Sequence, residues 1–183
     1  MPIPCAVFAL LASLSANAPS SAKAVQIGGS YAVTTLGENV LVGFPAGLDV
    51  LLRKGRLWGL AGASWQRADN RGATDTRPLD AEIFRARFGA GWSLLQMGIL
   101  DIRLDATTSW SRTEIVHAQW SGQIPGLSFP ETRSTRHDAA IGMGAAVRLA
   151  PPTGGASLEL VPIACEGGSL IACSGSVALG WVF

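Results

Sequence analysis

Apolar side chains recur at every second position through long stretches of this sequence, and that period places them on one face of a strand. From Ile99 to Trp110, Leu100, Ile102, Leu104, Ala106, Thr108 and Trp110 share one face, while Asp101, Arg103, Asp105, Thr107 and Ser109 share the other. From Phe84 to Trp92, Phe84, Ala86, Phe88, Ala90 and Trp92 alternate with Arg85, Arg87, Gly89 and Gly91. Ala139–Leu149, Leu48–Arg53 and Val177–Phe183 repeat the pattern, with weaker copies at Val25–Val33, Leu57–Trp65 and Ala156–Leu160. A helix would need apolar residues three and four apart, and these eight segments lack that spacing. The expectation is an all-β chain.

The connections between segments fall into two sorts. Lys54-Gly55, Gln96-Met97-Gly98 and Pro151–Gly155 are tight turns, with glycine available for positive φ. The stretches 69–80, 118–135 and 165–174 read as longer polar loops. Short turns at one end and long loops at the other describe an eight-stranded antiparallel up-and-down transmembrane β-barrel. A strand of about ten residues tilted near 40° rises roughly 25 Å, the height of a lipid-facing apolar band.

A soluble barrel would also alternate, so the direction of the greasy face has to be argued. Only 15% of residues are charged, against about 25% in an ordinary soluble domain. The face opposite the apolar one carries Asp49, Asp101, Asp105, Asp138 and Glu159 against Arg53, Arg56, Arg85, Arg87, Arg103 and Arg148, interleaved with Gly and Ala. Opposed charges among small residues suit a narrow eight-stranded interior. Threading the strands up and down places Tyr31, Trp65, Phe84 and Trp110 near the loop end and Trp92, Trp181 and Phe183 near the turn end. That gives two aromatic belts at headgroup level. The apolar face is therefore expected to meet outer-membrane lipid. A formal charge of +1 supplies no basic excess for nucleic acid.

Residues Ile3 to Leu14 form an apolar run too short for a membrane helix, followed by Ala16–Ala18 and Ala22–Ala24 as small-x-small cleavage sites. The expected organisation is a signal peptide over 1–18, with an alternative cut after 24, and a barrel domain over 19–183.

The ending Val177-Ala178-Leu179-Gly180-Trp181-Val182-Phe183, with its terminal aromatic, resembles the carboxyl-terminal strand of bacterial outer-membrane barrels. With eight alternating segments and an export signal, the chain resembles the small OmpA/OmpX and opacity-type barrels. The resemblance implies residence in the outer membrane of a Gram-negative bacterium and recognition of the last strand by the barrel-insertion machinery. Pro45 and Pro162 depart from it: proline cannot donate to the ladder, so each implies a bulge or a strand end.

Four groups are candidate sites. Cys165 and Cys173 bracket a short loop in an exported chain, where a disulfide is the natural pairing and two free thiols the alternative. The inner charges plug the lumen as ion pairs or, on the other reading, line a pore; near balance of sign favours the plug. His117 and His137 are the plausible general bases of an outer-rim lipid site, or else ordinary polar rim residues. The 118–135 loop carries Trp120, Ile124, Leu127 and Phe129, which either contact a surface ligand or fold back over the mouth. No metal or cofactor is expected, since two thiols fall short of a ligand set and neither histidine is near them in sequence.

The favoured function is structural or surface-interaction (adhesion-like), without catalysis. The alternatives are a lipid A deacylase or acyltransferase, and a secreted soluble barrel binding an apolar ligand. Strand parity predicts that Ile102→Arg costs about 2–4 kcal/mol and that Arg103→Gln costs less.

Overall fold

The computed structural model describes residues 21–36, 39–70, 79–121, 128–168 and 171–183. The apolar run at 3–14, the candidate cleavage site at Ala16–Ala18, Ile124 and Leu127 lie outside the described residues; the alternative site, Ala22–Ala24, lies within the first strand, where Ala24 pairs with Val182.

Among the described residues, eleven strands occur in chain order: β1 (Ser21–Leu36), β2 (Asn39–Gly43), β3 (Ala46–Lys54), β4 (Leu57–Asp69), β5 (Leu79–Met97), β6 (Leu100–His117), β7 (Trp120–Ser121), β8 (Ser128–Phe129), β9 (Thr132–Leu149), β10 (Gly155–Gly168) and β11 (Ile171–Val182). β2 and β3 are two halves of one stave, interrupted at Phe44-Pro45. β7 and β8 form a small hairpin between β6 and β9. The remaining staves pair antiparallel with their chain neighbours, and β1 pairs with β11 from Ala24↔Val182 to Thr35↔Ile171. That last ladder closes an eight-stave barrel and leaves the membrane-level wall without a free edge.

Gly55 and Gly98, at φ 62° and 55°, turn β3 into β4 and β5 into β6. In both, glycine occupies a left-handed conformation that a Cβ would penalise. The turns, the start of β1 and the end of β11 share one end of the barrel. At the other end the strands run much further than the alternation indicated. β4 continues to Asp69, β5 starts at Leu79, β6 reaches His117 and β9 starts at Thr132. The expected loops 69–80, 118–135 and 165–174 are therefore partly ladder, the last almost entirely.

The wall is apolar outside and polar inside. Ile27, Ile141 and Leu179 are 69%, 74% and 68% exposed, while Arg103 is 1% exposed. Glycines on the inner face make the room for these charges: a Cβ at Gly91 would land on the Asp105 carboxylate, and one at Gly62 on that of Asp49. Both prolines sit where the ladder is broken. Pro45 separates β2 from β3, and the β10 register jumps between Val161 and Ala164 around Pro162.

Candidate functional site

The lumen has three levels. At the turn end, Trp58 points inward from β4 and is buried. Its indole N–H donates to Ser93 Oγ at 2.8 Å, and Ser93 Oγ donates to Asp101 Oδ1 at 2.8 Å. The guanidinium carbons of Arg53, Arg103 and Arg148 stand 5.6, 5.1 and 5.0 Å from the Trp58 ring centre, a geometry in which each cation meets the negative ring face. Arg53 donates to Gln96 Oε1 at 2.5 Å, and Arg148 to Ser157 Oγ at 3.3 Å.

The middle level is ionic. Arg103 meets Asp105 at 2.5 Å and Glu159 at 3.0 Å, and Gln26 donates to the other Glu159 oxygen at 3.1 Å. Arg87 binds Asp49 through two nitrogens at 3.0 and 2.6 Å, the fork geometry that suits a carboxylate. Arg85 faces Glu166 at 3.3 Å, and Ser109 donates to the same carboxylate at 3.0 Å. Arg53, Arg85, Arg87, Arg103 and Arg148 stand against Asp49, Asp101, Asp105, Glu159 and Glu166, so the signs cancel. The gaps left between these groups are small, about 70 and 40 Å³.

The loop-end level is apolar. Leu41, Ala68, Leu79, Ala81, Ile83 and Ile115 form one buried cluster inside the wall. Nothing in the alternation at the membrane level signals this change of filling.

The structure places the candidate residues that it describes, with Trp120 and Phe129 of the long loop paired across β7–β8. Nine of the eleven inner-face charges take part in the two lower levels; Arg56 lies in the turn between β3 and β4, and Asp138 instead pairs with Arg136 at 2.9 Å, higher on β9. Trp58, Gln26, Ser93, Gln96 and Glu166 belong to the same network, and the sequence reading did not single them out. Strand parity could have found Trp58, because it lies an odd number of residues from outward-facing Trp65. The Arg103 side chain is enclosed between two carboxylates that would lose their partner in Arg103→Gln, an argument against the lower cost expected for that change than for Ile102→Arg.

The seven belt aromatics, Tyr31, Trp65, Phe84, Trp92, Trp110, Trp181 and Phe183, all project outward and are exposed. Trp65 pairs with Phe84 across β4–β5, and Trp92 lies opposite Leu57 and Leu104 on adjoining staves. Cys165 and Cys173 are bonded, as a cross-strand pair in register on β10 and β11 with both residues on the outer face. They staple ladder, where a loop had been expected. His117 and His137 do not share a site. His117 lies on the inner face opposite Thr132, whereas His137 lies outside, stacked on Trp110 with ring centres 5.4 Å apart.

No family model matches the chain, and no curated protein matches it. Solved structures do. Neisserial surface protein A (NspA) is 16% identical with a TM-score of 0.61, covering 88% of this chain and 97% of that one. Ail, the attachment invasion locus protein of Yersinia pestis, is 11% identical with a TM-score of 0.56, covering 90% and 99%. A second Ail structure, in complex with the heparin analogue sucrose octasulfate, gives 10% identity and a TM-score of 0.55. The fold is that of a small bacterial outer-membrane β-barrel. Its exterior, a girdle of exposed Leu, Ile, Val and Phe between two aromatic belts, is the surface such a barrel turns to hydrocarbon.

Proposed function

We propose that the chain is an outer-membrane barrel with a plugged lumen whose loop end serves surface interaction. The carrying observation is the edge of β9 at the loop end, where β2, β4, β5, β6 and β9 run on beyond the point at which β10 stops pairing with β9. β6 and β9 stay paired up to His117↔Thr132, whereas β10 leaves β9 at Ala140. Over Thr132–His137, β9 therefore has β6 on one side and no paired strand on the other among the described residues. A free edge offers a row of backbone donors and acceptors to an incoming extended segment. The edge is built from exposed Thr, Ser and Arg, so it is wettable when free. The β7–β8 hairpin lies between β6 and β9 at the same end.

In this reading the paired charges and Trp58 fill the lumen, the signal segment is removed after Ala18, and the last strand ending at Phe183 is presented to the insertion machinery. The outer membrane of a Gram-negative cell is the compartment that fits the lipid-facing girdle and the disulfide together. Opposed facing of His117 and His137 gives the lipid-modifying alternative no assembled base pair.

Adhesion of cells displaying the chain to a cultured epithelial monolayer tests the role. Adjacent residues in a strand point their N–H groups in opposite in-plane directions, so of Ser134→Pro and Thr135→Pro one removes a donor from the free edge and spares the β6 ladder. That variant should keep the barrel's slower unboiled gel shift yet lose adhesion. Equal adhesion by all three, or none above cells lacking the chain, would reject the role. Step-like ion currents through wild-type barrels in a planar bilayer would reject the plug.

A further inference from the structure

At the turn end the lumen holds a separate pocket of about 40 Å³, bounded by Trp58 and by the turns at Gly98 and Pro151-Pro152. Its ionisable lining consists of Arg53, Arg148 and Asp101. The lumen is neutral as a whole, yet its cations are not equally served. Arg85, Arg87 and Arg103 each meet a carboxylate, whereas Arg53 and Arg148 form no ion pair among the described residues. Arg53 donates to Gln96 Oε1 and to the Gly55 carbonyl. Arg148 is 2% exposed, donates to Ser157 Oγ at 3.3 Å, and has an Nε with no partner. The neighbouring acids are engaged elsewhere. Asp101, across the β6–β9 ladder from Arg148, accepts from Ser93 and Gln96. Glu159, across the β9–β10 ladder, is held by Arg103 and Gln26. A buried guanidinium without a counter-charge is costly, and an anion reaching it recovers that cost.

We propose that this pocket binds a short-chain monocarboxylate such as propionate from the periplasm, the side that the short turns of an outer-membrane barrel face. The carboxylate meets Arg148 and Arg53, whose planar guanidiniums match its geometry. Two cations against one acid leave a single positive charge at the pocket, which one monovalent anion neutralises. A water-sized group needs about 10–15 Å³, so the enclosed room takes about three heavy atoms, the size of a carboxylate. Away from the charged groups the lining is apolar, with Ala22, Ile99, Ala150 and Val182 beside the two prolines. A short alkyl tail rests on these side chains. Phosphate fits poorly, because a second charge has no counterpart and oxygens turned toward Ala22 and Val182 would find no donor. A peptide carboxyl terminus fits poorly as well, since its last amide would lie among the same apolar groups. The site is independent of the loop-end role and rests only on the closed, filled barrel.

The test follows the NMR line width of propionate, isotopically labelled at its carboxyl carbon, on addition of the folded barrel in detergent micelles. Wild type is compared with Arg148→Gln, Ala22→Leu and Lys54→Gln. Ala22→Leu fills the pocket and leaves every charge in place. Lys54 is exposed at the same end but outside the lining, so Lys54→Gln controls for diffuse attraction of anions. Wild type and Lys54→Gln should broaden the signal. Arg148→Gln and Ala22→Leu should leave it as empty micelles do, with the unboiled gel shift kept by all four. If Arg148→Gln loses that shift, Arg53→Gln, at a half-buried position, takes its place. No broadening by wild type, or equal broadening by Ala22→Leu, would overturn the site. A loss in Lys54→Gln as large as in Arg148→Gln would reduce it to surface charge and overturn it too. Phosphate or chloride displacing propionate at a lower concentration than acetate does would overturn the ligand class.

Discussion

β5 carries two opposite surfaces on one strand. From Phe84 to Trp92 its outward residues are aromatic or alanine, and Arg85 and Arg87 point in. From Leu79 to Ile83 the outward residues are Asp80 and Glu82, and Leu79, Ala81 and Ile83 are buried inside. β6 inverts in the same way, with Trp110 outside and Ser109 inside below, Arg112 and Glu114 outside and Ile115 inside above. Side-chain parity does not slip across this change, from Leu79 to Ser93 on β5 or along β6; the register shift on β5 comes lower, between Ser93 and Leu95. What changes is the outer solvent: hydrocarbon below the upper belt, water above it. In lipid the polar groups must be enclosed, and in water the apolar ones must be. The membrane half is thus held by ion pairs inside a greasy sleeve, and the raised half by a small conventional core.

Four changes, with Glu82→Arg as a matched control for the second, probe that contrast by urea titration of the folded barrel in vesicles, in falling order of effect. Arg103→Met strips Asp105 and Glu159 of their shared cation and should cost about 3–5 kcal/mol; a loss below 1 kcal/mol would show that the middle level is not held by pairing. Phe88→Arg places a cation against hydrocarbon and should cost about 2–4 kcal/mol. Glu82→Arg, on the same face of the same strand but above the belt, should stay within about 0.5 kcal/mol. Equal costs for these two would erase the boundary between the halves. Replacing Cys165 and Cys173 together with serine releases a short cross-link and should cost about 2.5 kcal/mol by the loop-entropy estimate; the comparison is void unless the wild type is measured oxidised. Ile83→Val trims the upper core and should cost about 0.5–1.5 kcal/mol. No change there would mean that this core is loosely packed.

Much of the barrel was legible in advance because alternation is local. A period of two is written in consecutive residues, so the faces of Ile99–Trp110 or Ala139–Leu149 could be read without knowing any neighbour. The tight turns were legible for the same reason, since Gly55 and Gly98 mark their own conformation. Strand ends were not. Leu79–Ile83 and Ser111–His117 keep the alternation but reverse its chemistry, which makes them look like loop to any reading tuned to one greasy face. The candidate charges were identified by facing alone, and parity from Trp65 would have placed Trp58 with them; Ser93 and Gln96 escaped because uncharged inner residues carry no distinguishing mark, and the register shift between Ser93 and Leu95 breaks the parity before Gln96.

The sequence by itself determined which side chains lie on the same side of each strand, because that follows from backbone geometry within a few residues. Only the closed barrel decided that Arg103 meets Glu159, 56 residues away, and that three guanidiniums gather on Trp58. Those juxtapositions depend on the register between staves and on the closure of β1 with β11. Register sums the stagger of every ladder around the wall, and no single segment contains that sum.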